Sequence, residues 1–138
     1  MNRESCLTAL DIQRLQEVDP TLRRIVVEAS RYMVFRVTCG HRGKAEQDAA
    51  VAAGKSKTPW PTSAHNSLPS RAVDLVPLEG TRIDWSDRER MTYLGGLVRG
   101  IGAALGVSVR WGGDWDGDGE VKDNNFDDLP HFEIAKTA

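Results

Sequence analysis

Apolar residues recur along this chain in two alternating periods, and the switches between them outline the elements. Leu10, Ile12 and Leu15 are the apolar positions of the opening segment, and Leu7 to Glu17 is predicted as a helix. Asp19-Pro20 follows, an N-cap with proline at the first helical position. Leu22, Ile25, Val26, Ala29 and Met33 then repeat at spacings of three and four, so Pro20 to Arg31 is predicted as an amphipathic helix. From Tyr32 to Thr38 the residues turn β-branched and aromatic, which predicts a strand. Gly40 and Gly43 bracket His41-Arg42 in a turn. Lys44 to Ala53 is an Ala-rich helix stopped by Gly54.

The second half repeats the alternation. Lys55 to Arg71 carries three prolines among Ser, Thr and Asn and reads as a loop. Ala72 to Val76 is a short apolar strand holding Asp74. Ser86 is the expected cap of the next helix, with Glu89 at the capping-box position. Within that helix Met91, Leu94, Val98, Ile101 and Leu105 recur at three and four, the strongest helical pattern in the chain, and Gly106 ends it. Val107 to Trp111 is predicted as a strand, Gly112 to Asp127 as a Gly/Asp loop, and His131 to Ile134 as a final short strand. Helices alternating with short strands, without internal repeat or linker, predict an α+β fold: residues 1–138 as a single domain with a small antiparallel sheet and flanking helices.

Composition narrows the function classes. With 40% hydrophobic and 28% charged residues, 138 residues suffice for a core without disulfides. The net charge is -2 and no Lys/Arg block is present, so the basic footprint of a nucleic-acid binder is missing. No stretch reaches the roughly 20 apolar residues of a membrane span, and Met1 to Ser5 opens without the apolar run of a signal peptide. Cys6 and Cys39 lack CxxC spacing and are expected as free thiols. Trp111 and Trp115 sit among Gly and Asp. That placement hints at an aromatic platform near a site, although a tryptophan is more often buried in the core.

Two segments hold the candidate chemistry. Ser63 to Asp74 carries His65 and Asp74; Asp127 to Glu133 carries His131 among acids; the third histidine, His41, reads as a turn residue. Two imidazoles and a carboxylate can fill three corners of a zinc tetrahedron and leave the fourth to water, with a further carboxylate to handle that water's proton. Each residue alone has an ordinary surface reading, and spacing by itself fits a site and a coincidence equally. A third cluster, Asp114, Asp116 and Asp118 with Gly119, resembles the first half of a calcium loop. The twelfth position from Asp114 is Asn125 where the usual loop has Glu, and a plain Asp/Gly turn is the competing reading.

Three blocks in order carry a family resemblance. Thr38-Cys39-Gly40-His41-Arg42-Gly43-Lys44-Ala45-Glu46-Gln47, Ser63-x-His65…Ala72-x-Asp74, and Asp128-x-Pro130-His131-Phe132-Glu133 resemble the motifs of the D-Ala-D-Ala-type (VanY-like) zinc peptidases, closest to the phage L-alanyl-D-glutamate endolysins. The likeness spans about Pro20 to Ile134. It implies a hedgehog/D-Ala-D-Ala-peptidase-like fold and a zinc metallopeptidase. His65, Asp74 and His131 would be the zinc ligands, Asp128 the catalytic base with Asp127 as its rival, and Arg42 the substrate or oxyanion contact. Gln47 and Glu133 would stand behind these residues or touch substrate. The implied substrate is the peptidoglycan stem peptide, cut at the L-alanyl-D-glutamate bond. A D,D-carboxypeptidase and a non-catalytic binding module with a relict zinc site are the alternatives. The implied life history is that of a monomeric lysis enzyme, made in the host cytoplasm and acting on the cell wall after release. The departure from the family pattern is the long His65-to-Asp74 gap, whose loop has to bulge to bring both residues to one metal.

Overall fold

A computed structural model of the chain describes residues 4–120 and 127–135. Its elements in chain order are α1 (Ala9–Leu15), α2 (Pro20–Ala29), β1 (Phe35–Cys39), α3 (Lys44–Ala52), a 3-10 turn at Ala64–Asn66, β2 (Ala72–Glu79), β3 (Arg82–Ile83), α4 (Arg88–Ala104), β4 (Val109–Gly112) and β5 (Asp128–Ile134). The main sheet is antiparallel in the order β1-β2-β5-β4, and β3 pairs with the end of β2. The expected α+β class and flanking helices are present.

Alternation along the strands separates core from site. Phe35 and Val37 on β1, Val73 and Leu75 on β2, Phe132 and Ile134 on β5, and Val109 and Trp111 on β4 are buried together. Register pairs Leu75 with Val37, Val73 with Phe132, and Trp111 with Phe132, so these residues share one face. That face is covered by Leu22, Ile25 and Val26 of α2 and Met91, Leu94 and Val98 of α4. The opposite face carries Asp74, His131, Glu133 and Arg110.

Several boundaries differ from expectation, each for a local reason. Residues 32–34 form the turn closing α2 rather than the start of β1, with Tyr32 and Met33 bonded back to the Ala29 carbonyl. The α4 cap is Asp87, whose carboxylate accepts the Arg90 amide; Ser86 instead bonds the Asp84 side chain. Leu105 is not part of the buried stripe: α4 ends at Ala104, and Leu105, its C-cap, is 40% exposed. β5 starts three residues early, at Asp128, which puts the proposed base on a strand. Trp111 belongs to the core. Its indole stacks on Phe132, and its Nε1 donates to the Leu129 carbonyl at 2.7 Å.

Candidate active site

Adjacent strand ends converge on one point. β1 and β2 pair Cys39 with Asp74, and β2 and β5 pair Asp74 with His131, so three residues from three strands stand in one row. His65 is delivered by the 3-10 turn, capped by Ser63, whose hydroxyl accepts the His65 amide. The long gap behind His65 is accommodated by anchoring its far end. Ser70 is fully buried, exchanges backbone hydrogen bonds with Glu17 and Asp19, and donates its hydroxyl to the Ala72 carbonyl at 2.7 Å. Leu68, at the crest of the bulge, is 68% exposed.

Both imidazoles meet the same carboxylate oxygen. His65 Nε2 lies 3.2 Å and His131 Nδ1 3.5 Å from Asp74 Oδ1, and the two rings meet edge to face at 5.1 Å between centroids. The outer nitrogens have fixed partners. His65 Nδ1 donates to the Gly40 carbonyl at 2.7 Å, and His131 Nε2 donates to Glu133 Oε1 at 2.7 Å. With each outer nitrogen donating to a fixed partner, His65 Nε2 and His131 Nδ1 are the nitrogens turned toward Asp74, and loss of their protons would free both lone pairs for a metal, the arrangement that metal-bound histidines use. The donor set of two neutral imidazoles and a carboxylate suits zinc. Sequence spacing gave no sign of Cys39 here. Its thiol lies 3.8 Å from His65 Nδ1, and the ligand atoms of Cys39, His65 and Asp74 all lie within 4.8 Å of one another. Only the strand pairing with Asp74 reveals it.

The electrostatics follow from this packing. Burial opposes the ionisation of Asp74, but the hydrogen bonds and charge of His131 and His65 overcome it and hold the carboxyl well below the usual range. Burial likewise disfavours charge on His65, yet the Asp74 hydrogen bond and charge, with Cys39 assisting, push it up to about 10. His131 is raised against its burial by Asp74 and Glu133. Asp128 moves the other way from Asp74. Burial and the nearby Asp74 charge raise its carboxyl toward the neutral form, against the pull of His131, His65 and Arg42. Asp127, its neighbour, is ion-paired to Arg88 at 2.9 Å.

Arg42 approaches Asp74 Oδ2 at 3.6 Å and is held from behind. Gln47, fully buried on α3, accepts from Arg42 Nη1 at 3.0 Å and from Asn66 Nδ2 at 3.1 Å, and donates to Ser56 and to the Thr58 carbonyl. This amide has every hydrogen-bonding position filled. It ties Arg42, the His65 turn and the segment after α3 into one unit.

A groove of about 980 Å³ opens over these residues, with His65, Asp74, Asp128 and His131 in its lining and Trp85 and Trp115 among its walls. Trp85 is 60% exposed and was not singled out from sequence; no pattern around it marks a site. Trp115 lies 5.5 Å from the His131 ring, so it is the aromatic that borders the site and Trp111 is not. His41 contacts Glu17 at 3.4 Å and takes no part in the convergence.

The acidic turn lies outside the groove lining. Ligand oxygens of Asp114, Asp116 and Asp118 lie within 4.8 Å of one another. Asp114 is buried, paired with Arg99 at 3.1 Å, and accepts the Asp118 and Gly119 amides. Asn125 falls outside the described residues.

The chain is similar to known proteins along nearly its whole length. The family described as phage L-alanyl-D-glutamate peptidase matches residues 6–135. The L-alanyl-D-glutamate peptidase of Escherichia phage T5 is 28% identical over 114 residues, covering 80% of this chain and 82% of that protein. The crystal structure of the Serratia marcescens L-Ala D-Glu endopeptidase ChiX superposes with a TM-score of 0.75 at 30% identity, covering 96% of this chain and 92% of that one. With the three motif blocks brought together around one groove, this chain belongs to the phage L-alanyl-D-glutamate peptidase family.

Proposed function

We propose that the protein is a zinc-dependent endopeptidase that cuts the peptidoglycan stem peptide between L-alanine and D-glutamate. The observation that carries this reading is the meeting of two imidazoles of fixed tautomer on one carboxylate oxygen, with the Asp128 carboxyl raised beside them. His65, Asp74 and His131 are the proposed ligands. Bound there, zinc supplies Lewis acidity and lowers the pKa of a coordinated water. Asp128 takes the proton of the attacking water and passes it to the leaving amine; a carboxyl raised from its ordinary value is better matched to both halves of that task. Arg42 faces the developing oxyanion, and Gln47 keeps its guanidinium aimed. Glu133 keeps His131 in the required tautomer.

The D,D-carboxypeptidase reading uses the same groups, and the names of the relatives favour the internal bond. Arg42 and Asp128 both face the groove, which speaks against a relict binding module. Among the described residues no helix is long and apolar enough to cross a membrane. Synthesis in the host cytoplasm, release to the wall and action as a monomer complete the proposal. Calcium at Asp114, Asp116 and Asp118 has one observation in its favour: ligand oxygens of the three carboxylates lie within 4.8 Å of one another. Calcium would have to compete with Arg99 for Asp114.

The decisive experiment pairs metal analysis with product identification. One zinc per chain is expected in wild type, with loss in His65→Ala, Asp74→Ala and His131→Ala. Digestion of peptidoglycan should expose new amino-terminal D-glutamate by mass spectrometry. Release of free D-alanine instead would select the carboxypeptidase, and stoichiometric zinc in the double His65→Ala/His131→Ala protein would remove the site.

A further inference from the structure

Resting on the stem-peptide reading, we propose that Arg110, stacked on Trp115, is the binding residue for the free carboxylate of the substrate's glutamyl unit, and that it fixes the direction in which the peptide lies in the groove. Arg110 is in register with Glu133, which lies two residues beyond His131 on the same face of β5. One strand spacing of about 4.8 Å and one residue pair of about 6.8 Å separate His131 from Arg110, placing their Cα atoms about 8 Å apart. That is within a side chain's reach of the residue flanking a bond cut at the His131 row.

The guanidinium is held in place from two sides. Its carbon lies 4.8 Å from the centroid of the Trp115 ring, and its Nε donates to the Trp115 carbonyl at 3.1 Å. Trp115 in turn rests against the His131 ring. Glu133, the acid opposite Arg110, is engaged by His131 Nε2. Among the described residues no carboxylate forms an ion pair with Arg110 within 4 Å, although it is exposed and lines the groove. An arginine pinned at Nε and stacked on an indole presents its two terminal nitrogens as a ready fork for a planar carboxylate, with little ordering left to do on binding.

The substrate offers one such group next to the cut. A glutamyl unit has two carboxyl groups. The chain continues through one, and the other stays free, close to the amide nitrogen that becomes the leaving amine. The alanyl side of the bond has no carboxylate. A carboxylate reader on β4 therefore places the D-glutamyl half over Arg110 and Trp115, and the alanyl half toward the opposite wall at residues 55–58.

The test compares two muropeptides that differ in one group: D-glutamate, with the free carboxylate, and D-isoglutamine, with a neutral carboxamide in its place. Wild type should prefer the carboxylate in kcat/KM by about tenfold or more, the lower end for a hydrogen bond to a charged group. In Arg110→Gln the preference should collapse, and Arg110→Lys, which keeps the charge without the fork, should fall between. Zinc content and thermal midpoint are read alongside. If Arg110→Gln does not fold, Arg110→Lys carries the comparison. Equal rates in wild type, or a preference that survives in the folded Arg110 variants, would overturn the assignment and leave the peptidase reading intact; Arg71→Gln tests another arginine of the groove lining as the reader in that case. Wild type that cuts neither muropeptide would sink the peptidase reading, and this proposal with it.

Discussion

Asp127 and Asp128 are identical in chemistry and differ in their neighbours. Asp127 neutralises Arg88 at the surface, whereas Asp128 is partly buried near Asp74 and its carboxyl is raised. Asp128→Ala should keep zinc and fold while losing about 10²- to 10⁴-fold in turnover, the usual worth of general acid–base catalysis. Asp127→Ala should be far milder, since an exposed ion pair contributes little. Steady-state kinetics on one muropeptide decides this, and a reversed order would move the base to Asp127. The third motif block favours Asp128 by position, but the chemistry of two adjacent aspartates does not separate them. The ion pair and the burial do, and both depend on Arg88 and Asp74, which are far away in sequence.

At the scale of elements, α4 and β4 meet through an indole. A Cβ on Gly95 would lie 2.5 Å from Trp111, whereas one on Gly96 would meet nothing within 4 Å. Both residues are interior to α4, where Gly→Ala gains about 1 kcal/mol of helix propensity. Gly96→Ala should keep that gain and raise the denaturant midpoint. Gly95→Ala should lower it, because forcing a methyl into a packed contact costs about 1–3 kcal/mol. The Gly95 change should also lower activity, since Trp111 holds the Leu129 carbonyl beside Asp128. Equal shifts in both variants would contradict the contact. The other element to test is the acidic turn. Calcium titrated at constant ionic strength and fixed zinc should raise wild-type activity at high concentration and leave Asp116→Ala unchanged. Identical flat curves would leave only a turn closed by Asp114 and Arg99. Helix periodicity predicted α2 and α4 well because their apolar faces are long. It placed the α4 cap one residue early because Ser86 and Asp87 are both good caps, and the fold chose Asp87.

For the whole molecule, the site couples metal, protons and stability. In protein stripped of metal by a chelator, His65 is raised to about 10, so its pairing with Asp74 stabilises fully below about pH 6.5, the ordinary imidazole value, and is lost as pH rises through about 10. Asp74 is depressed, so its share is present above about pH 3.9 and is lost as pH falls through its lowered value. The stabilising window of the pair is thus about pH 4 to 6.5, and the thermal midpoint of stripped protein should decline above it. Zinc needs His65 neutral, so binding at pH 7 should release at least one proton, and affinity should weaken toward acid. Calorimetry in two buffers of different ionisation heat measures the release; none at pH 7 would contradict the protonated His65–Asp74 pair.

The sequence by itself determined the element types, the core stripes of α2 and α4 and the residues that could act as ligands, because these depend on short-range periodicity and on side-chain chemistry read in order. It also carried the family motifs, which lie in three short blocks. The tertiary structure decided which of those residues meet. Register between strands far apart in the chain set Cys39, Asp74 and His131 in one row, burial and charge made Asp128 differ from Asp127, and packing assigned Trp111 to the core and Trp115 to the groove. These outcomes rest on distances between residues remote in sequence, which no local pattern encodes.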